Sequence, residues 1–373
     1  MTEIQMPISQ VVQQPDIIPP KNNKKRVILV IGVALIAVLS IVFYFLKNEG
    51  DGQPEETRVT ENFEKGVVSS PTPMPFYELT IPYLSEREYK STLGELEEIS
   101  ASATYTSYLT SYSSDGLKVN GQLTIPKGEE PENGWPAVVF IHGYIPPAQY
   151  QTLVNYASYV DSIARQGFVV FKIDLRGHAD SEGDASGAYY SSDYIIDALN
   201  ARAALAASEF VNPEKIGFWG HSMAGNVLMR TLASDPQIPV VVIWAGAVYT
   251  YLDWGDYGIQ DGSYRPPAQT SERQRKREEL FAAHGEFSSE SDFWRMVPAT
   301  NYLKGIKGAV QLNHAVDDNV VNIGYSRDLA ELLETDGVTH ELHEYNSGGH
   351  NLTGTSFNQA MDNTVAFFKK YLK

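Results

Sequence analysis

No cysteine occurs among the 373 residues, which removes disulfides, thiol nucleophiles and cysteine-ligated zinc together. That absence suits a reducing compartment and a bacterial exterior equally, so it assigns the protein to neither. Net positive charge is missing as well: 29 Lys and Arg face 46 Asp and Glu, for a net of −17. Such a balance argues against nucleic-acid binding and against lying flat on anionic lipid; solubility and self-repulsion account for it. No Gly-rich phosphate loop or dinucleotide fingerprint follows a strand-like run, and no internal repeat is visible. The histidines do not gather into a ligand set. His340 and His343 are three apart on a strand-like segment and point to opposite faces, so neither a metal site nor any other cofactor is expected.

Long apolar runs are missing too, with one exception. Val27 to Leu46 is uncharged throughout. As a helix it would be about 30 Å long, the thickness of a bilayer's hydrocarbon core. It is too long for a typical signal-peptide core, and no small-residue cleavage site follows it. Lys21, Lys24, Lys25 and Arg26 precede it, whereas Lys47, Glu49 and Asp51 follow. The positive-inside rule then keeps the short tail in the cytoplasm and sends the rest outside. Residues 1–46 hold four Lys and Arg against Glu3 and Asp16, so the acidity belongs to the external part. The expected layout is a cytoplasmic tail (1–26), one transmembrane helix (27–46), a linker rich in Gly, Pro, Glu and Ser (47–75) and a globular domain (76–373). The chain would be a single-pass protein of the cell membrane, held in the lipid bilayer by that helix.

The domain reads as alternating strands and helices. Thr104–Ser111 and Leu117–Ile125 alternate around Ser114-Asp115-Gly116 as a β-hairpin. Strands at Ala137–Ile141, Phe168–Asp174 and Val240–Trp244 are interleaved with helices at Gln151–Arg165 and Asp193–Ser208. A helix at about Ser356–Leu372 closes the chain, and a short helix is expected at Glu86–Ile99. The alternation implies an α/β fold: a mainly parallel, twisted sheet with helices on both faces. About Val248 to Leu303 is a small insertion, opening with aromatics and carrying a charged helix at Thr270–Ala283.

The most informative stretch is Gly220-His221-Ser222-Met223-Ala224-Gly225. A strand-like run, Lys215 to Trp219, precedes it, and apolar residues at helical spacing follow from Asn226. Serine at the apex of a strand-turn-helix is a nucleophile elbow, whose crowded turn demands small neighbours. The usual G-x-S-x-G has Ala224 in its last place, with Gly225 directly after. Downstream, an apolar run ends in His314-Ala315-Val316-Asp317-Asp318-Asn319-Val320-Val321. This is similar to an H-G-x-x-D-x-x-V pattern whose fifth residue is an acid, and that residue is Asp318; Asp317 competes for the role. After a last strand, His340–Tyr345, the Gly-rich Asn346-Ser347-Gly348-Gly349-His350 offers a base. The order Ser222, Asp318, His350 is the one the elbow fold requires. A serine hydroxyl needs a neutral imidazole to take its proton, and a carboxylate to orient that imidazole and stabilise its charged form. An oxyanion would be held by the amide after the nucleophile, Met223, and by Tyr144, which follows His142-Gly143 at the end of the Ala137–Ile141 strand.

On these motifs the chain resembles the α/β-hydrolase superfamily, and within it the catalytic domain of prolyl-oligopeptidase-like serine peptidases, from about Tyr105 to Lys373. Asp174-Leu175-Arg176-Gly177-His178-Ala179-Asp180-Ser181 is similar to the family's D-x-R-G-x-G-x-S loop, which is architectural there, with Ala179 in place of a glycine. The resemblance gives His221 and His142 packing or hydrogen-bonding roles. It implies a serine hydrolase that acts on a peptide or ester through an acyl-enzyme, with the insertion lying over the site as a lid. Trp254, Tyr257 and Phe293 are candidates to line the substrate pocket, and packing of the lid onto the body is the competing explanation for them. Full-length relatives carry a propeller, and the roughly 60 residues between anchor and hairpin are too few for one, since a single blade takes about 40–50. Peptide and ester substrates therefore both remain open, as does a catalytically dead ectodomain that binds a partner.

Overall fold

A computed structural model describes residues 74–185, 187–260 and 272–373. The tail 1–26, the apolar run Val27–Leu46 and all of the 47–75 stretch except its last two residues lie outside the described residues. Among the described residues no helix is long and apolar enough to cross a membrane.

The first helix, α1 (Ile81–Glu86), starts where Thr80 caps the Tyr83 amide and Pro82 occupies the first turn, a position where its missing N–H costs nothing. The helix expected at Glu86–Ile99 is therefore displaced towards the N-terminus. Beyond it Gly94 donates to the Ser111 carbonyl at 2.7 Å, and β1 (Glu97–Ala101) pairs with β2 (Tyr105–Ser114). Pairing along the sheet edge has overridden local helix propensity. The hairpin from β2 to β3 (Leu117–Pro126) turns on Asp115 and Gly116, both at positive φ (54° and 80°), as a two-residue turn requires.

The remaining elements run β4 (Trp135–Ile141), α2 (Ala157–Ala164), β5 (Val169–Ile173), α3 (Asp193–Ala206), β6 (Val211–His221), α4 (Ala224–Ser234) and β7 (Val240–Trp244). After these come α5 (Tyr251–Tyr257), α6 (Glu272–His284), α7 (Asp292–Arg295), β8 (Ala309–Ala315), α8 (Gly324–Thr335), β9 (His340–Tyr345) and α9 (Thr355–Leu372). Helix α2 begins six residues later than its apolar pattern suggests, because Tyr156 at its N-cap adopts φ 62°. Among the described residues nine strands form one sheet, in the order β1-β2-β3-β5-β4-β6-β7-β8-β9. The first three pair antiparallel, and everything from β5 to β9 is parallel.

Alternate residues of β4 feed two cores: Ala137, Val139 and Ile141 face one, and Val138 and Phe140 the other. Helices α3, α4 and α8 cover the first face, and α2 and α9 the second. Burial on both faces explains why β4, β5 and β7 read as nearly unbroken apolar runs. Each such Val, Ile or Phe contributes about 1.5–3 kcal/mol on leaving water. The chain passes from β4 outward to β5, then returns to place β6 on the other side of β4. Loops at the carboxyl ends of β4 and β6 thus diverge over a crevice, which is where open α/β sheets bind ligands.

A third, smaller cluster joins the insertion to the start of the domain. Leu79 packs with Leu280, Phe293, Trp294 and Val297, and the Ile81 amide donates to the Met296 carbonyl at 2.8 Å. Buried Arg230 on α4 donates to the carbonyls of Leu79 and Ser191 and to the Ser192 hydroxyl. It ties these two segments to α4.

Candidate active site

Ser222 stands at the end of β6 with φ 57°, a left-handed conformation that costs a non-glycine residue about 1–3 kcal/mol and persists only where surroundings enforce it. Its amide donates to the Trp244 carbonyl at 2.9 Å, and its carbonyl accepts from the Gly225 amide at 2.8 Å. A Cβ at position 220 would come within 2.7 Å of both Ala224 Cβ and Leu228 Cδ1. The methyl group of Ala224 fits because residue 220 has none.

The structure brings Ser222, His350 and Asp318 together. The Ser222 hydroxyl lies 2.9 Å from His350 Nε2, and His350 Nδ1 donates to Asp318 Oδ2 at 2.8 Å. Asp318 Oδ1 accepts from the Val320 and Val321 amides at 2.8 and 3.0 Å, and His314 Nε2 lies 3.1 Å from Oδ2. Burial by itself would raise this carboxyl. The hydrogen bonds from His314 and His350 and the charge of His350 prevail, holding it well below the usual carboxylate range. Asp317 occupies a different place: its carboxylate accepts from the amides of Gly349 at 2.8 Å and Gly348 at 3.3 Å. It anchors the loop that carries His350 and makes no contact with the imidazole.

Met223 and Tyr144 line the same cavity as Ser222 and His350. Met223 is the N-cap of α4, where helix amides point outward and favour negative charge. Tyr144 follows β4, which is paired with β6 in parallel register, Ile141 opposite Gly220. That register sets the two loops side by side. His142 is buried and lies outside the cavity lining. The loop after β5 is a brace: Arg176 donates to Asp197 at 2.7 Å and to Asp193 at 3.1 Å.

The cavity measures about 1900 Å³. Trp254 lines it, edge-on to Tyr189 at 5.2 Å. Tyr257 and Phe293 do not. Tyr257 donates to Asp328 at 2.7 Å and packs on Tyr325 and Gly324, fastening α5 to α8. Phe293 is stacked on His284 at 3.7 Å inside the small cluster. For these two residues, packing of the insertion is the role that their contacts describe. Phe76 and Leu79 also line the cavity, and no sequence motif marks them. Tyr156 lines it too, from a position that the helical pattern placed inside a helix.

Residues 154–373 match the model of the prolyl oligopeptidase family. A thiohydrolase of Aspergillus aculeatus is 30% identical over 128 residues, which make up 34% of this chain and 37% of that protein. Among solved structures, an acetyl xylan esterase from Paenibacillus sp. R4 superposes with a TM-score of 0.56 at 16% identity, over 78% of this chain and 92% of that one. Dipeptidyl peptidase 4 of Porphyromonas gingivalis gives 0.55 at 18% identity, over 72% of this chain and 36% of that one. These structural likenesses show the α/β-hydrolase fold.

Proposed function

Since this chain belongs to the prolyl oligopeptidase family and is a serine hydrolase of that family, we propose that it is a membrane-anchored peptidase working outside the cytoplasm through an acyl-enzyme. Ser222 attacks the scissile carbonyl while His350 Nε2 takes its proton, and Asp318 stabilises the imidazolium that forms. The Met223 and Tyr144 amides hold the oxyanion, an interaction often worth about 3–4 kcal/mol per donor. His350 then returns the proton to the leaving group, and water repeats the sequence on the acyl-enzyme. The observation that carries this reading is the continuous hydrogen-bonded line Ser222–His350–Asp318 at the edge of a cavity large enough for a peptide. The uncharged run Val27–Leu46, with Lys and Arg before it, supports the anchor and the external position of the domain.

A second reading, a carboxylesterase, is favoured by extent. The chain spans 92% of the acetyl xylan esterase and only 36% of the dipeptidyl peptidase, and ester carbonyls need less help to expel their leaving group. The experiment compares matched ester and peptide-amide substrates on the full chain in detergent, with Ser222→Ala as control. Amide turnover that disappears in the variant supports the peptidase. Ester turnover alone makes the protein an esterase. No turnover, with no labelling by a serine-directed phosphonate, leaves a binding ectodomain.

A further inference from the structure

One hydrogen-bonded chain outside the triad links the loop after β4, the end of β6 and the loop after β9. The Gly143 amide donates to the Tyr156 hydroxyl at 3.0 Å, that hydroxyl lies 2.7 Å from His221 Nδ1, and His221 Nε2 lies 2.8 Å from the His350 carbonyl. Its direction follows from the donors available. A carbonyl only accepts, so His221 Nε2 carries the proton. Burial, and next the charge of His350, lower the His221 pKa from 6.5 to about 3, so near neutral pH the ring holds one proton and Nδ1 is bare. Nδ1 then accepts from the Tyr156 hydroxyl, whose oxygen is left to accept from Gly143. Every step has a donor and an acceptor, and none is left over.

We propose that Tyr156 and His221 are positioning residues for the hydrolytic reaction, tying the oxyanion loop at Gly143–Tyr144 to the backbone of the base His350 across the nucleophile turn. The inference rests on the triad reading above. Three further observations support a built device. Tyr156 is held at φ 62°, a backbone geometry that a tyrosine adopts only where the surroundings impose it. Its ring is wedged edge-on against Phe140 at 5.6 Å and Tyr159 at 5.2 Å. A Cβ at position 143 would lie 2.7 Å from the Tyr156 hydroxyl oxygen and 3.0 Å from His221 Nδ1, so only glycine leaves room for the relay. The oxyanion donor and the base sit on separate loops after β4 and β9, and the sheet alone does not fix their separation. The relay does so, through two side chains that transfer no proton themselves.

The test measures kcat and KM of the full chain on a small activated ester for Tyr156→Phe, His221→Gln and the double variant, beside Ser222→Ala. With its amide N–H at the Nε2 position, Gln keeps a donor for the His350 carbonyl. Its own carbonyl oxygen then lies away from the Nδ1 position, so Tyr156 loses its acceptor there. Because misplacing a reacting group by about 1 Å can cost on the order of 100-fold, each single variant is expected to lower kcat by roughly 10- to 100-fold with KM within about twofold. The double variant should fall no further than the worse single, since both cut one chain. Phosphonate labelling of Ser222 should slow in step, at an unchanged folded fraction by circular dichroism. The proposal is overturned if the two effects multiply, if Tyr156→Phe raises KM alone as a mere cavity wall would, or if activity falls only as the folded fraction falls. Full turnover in Ser222→Ala would instead remove the triad reading, which separates the two failures.

Discussion

The floor and the roof of the cavity are built on different principles. On the floor, strand register and forced backbone set every group: Ser222 and Tyr156 both sit at positive φ, and Asp318 accepts from two amides and two imidazoles. The roof, formed by α5, α6, α7 and the segment around Leu79, is packed chiefly by rings, with a few hydrogen bonds such as Tyr257–Asp328 and Ile81–Met296 at its margins. Phe293 lies on His284, Tyr251 faces Tyr190 and Trp294, and Arg277 covers Tyr190 and Phe281. Directional hydrogen bonds fix positions to fractions of an ångström, whereas apolar contacts tolerate sliding and substitution. The floor is therefore suited to chemistry and the roof to selection.

Substitutions separate the two most sharply at the triad. Ser222→Ala should lower kcat by on the order of 10⁵- to 10⁶-fold without changing the unfolding midpoint, as read by ester turnover and thermal unfolding on one preparation. Asp318→Asn should cost about 10⁴-fold, because an amide cannot hold the imidazole in the tautomer that accepts from serine. Asp317→Ala removes only the anchor under Gly348 and Gly349, and its loss should stay within about tenfold. Equal losses at 317 and 318 would mean that the loop anchor matters as much as the acid.

The same contrast explains what could be read from the sequence. The floor was legible because its demands are local: a turn that strains serine needs small residues at fixed offsets, and the acid and base follow in an order that the topology imposes. Both aspartates remained candidates since spacing alone does not say which carboxylate turns inward; Asp318 does so because its own turn supplies the Val320 and Val321 amides. Tyr156 was invisible, as nothing in its neighbours announces a left-handed residue before a helix. The roof was half-legible. Aromatics opening the insertion were evident, but which of them faces the cavity depends on partners distant in sequence, such as Asp328 for Tyr257 and Leu79 for the Phe293 cluster.

Within the roof, two aromatics should behave oppositely. Phe293→Ala opens a void in a cluster where the ring is 3% exposed, and should lower stability by about 3–5 kcal/mol, seen in denaturant unfolding, with kcat on a small ester retained in the folded fraction. Trp254→Ala removes a ring that is 36% exposed on the cavity wall. It should leave stability within about 1 kcal/mol and shift the kcat/KM ratio between bulky and small acyl groups by roughly 10-fold. Unchanged selectivity with lowered stability would assign Trp254 to lid packing as well.

A pH-dependent effect is expected from the residues that hold the segment before Tyr156. Lys172 is buried on β5 and donates to the carbonyls of Thr152 and Asn155, while Asp174 two residues on accepts from the hydroxyls of Tyr150 and Thr152. Together they hold the segment that leads into Tyr156. Burial lowers the Lys172 pKa from 10.5 to about 8 and raises that of Asp174 from 3.8 to about 6. Between about pH 8 and 10.5 the unfolded chain binds more protons at Lys172 than the folded one, so this group makes stability rise with pH there. Between about pH 4 and 6 the folded state holds the extra proton at Asp174, and stability falls as pH rises. In Lys172→Met the alkaline rise should vanish while the acid-side slope persists, measured by urea unfolding of both proteins across pH 4–10. An alkaline rise surviving in the variant would show that Lys172 is solvated in the folded protein, and that the segment before Tyr156 is held by Asp174 and its hydroxyl donors.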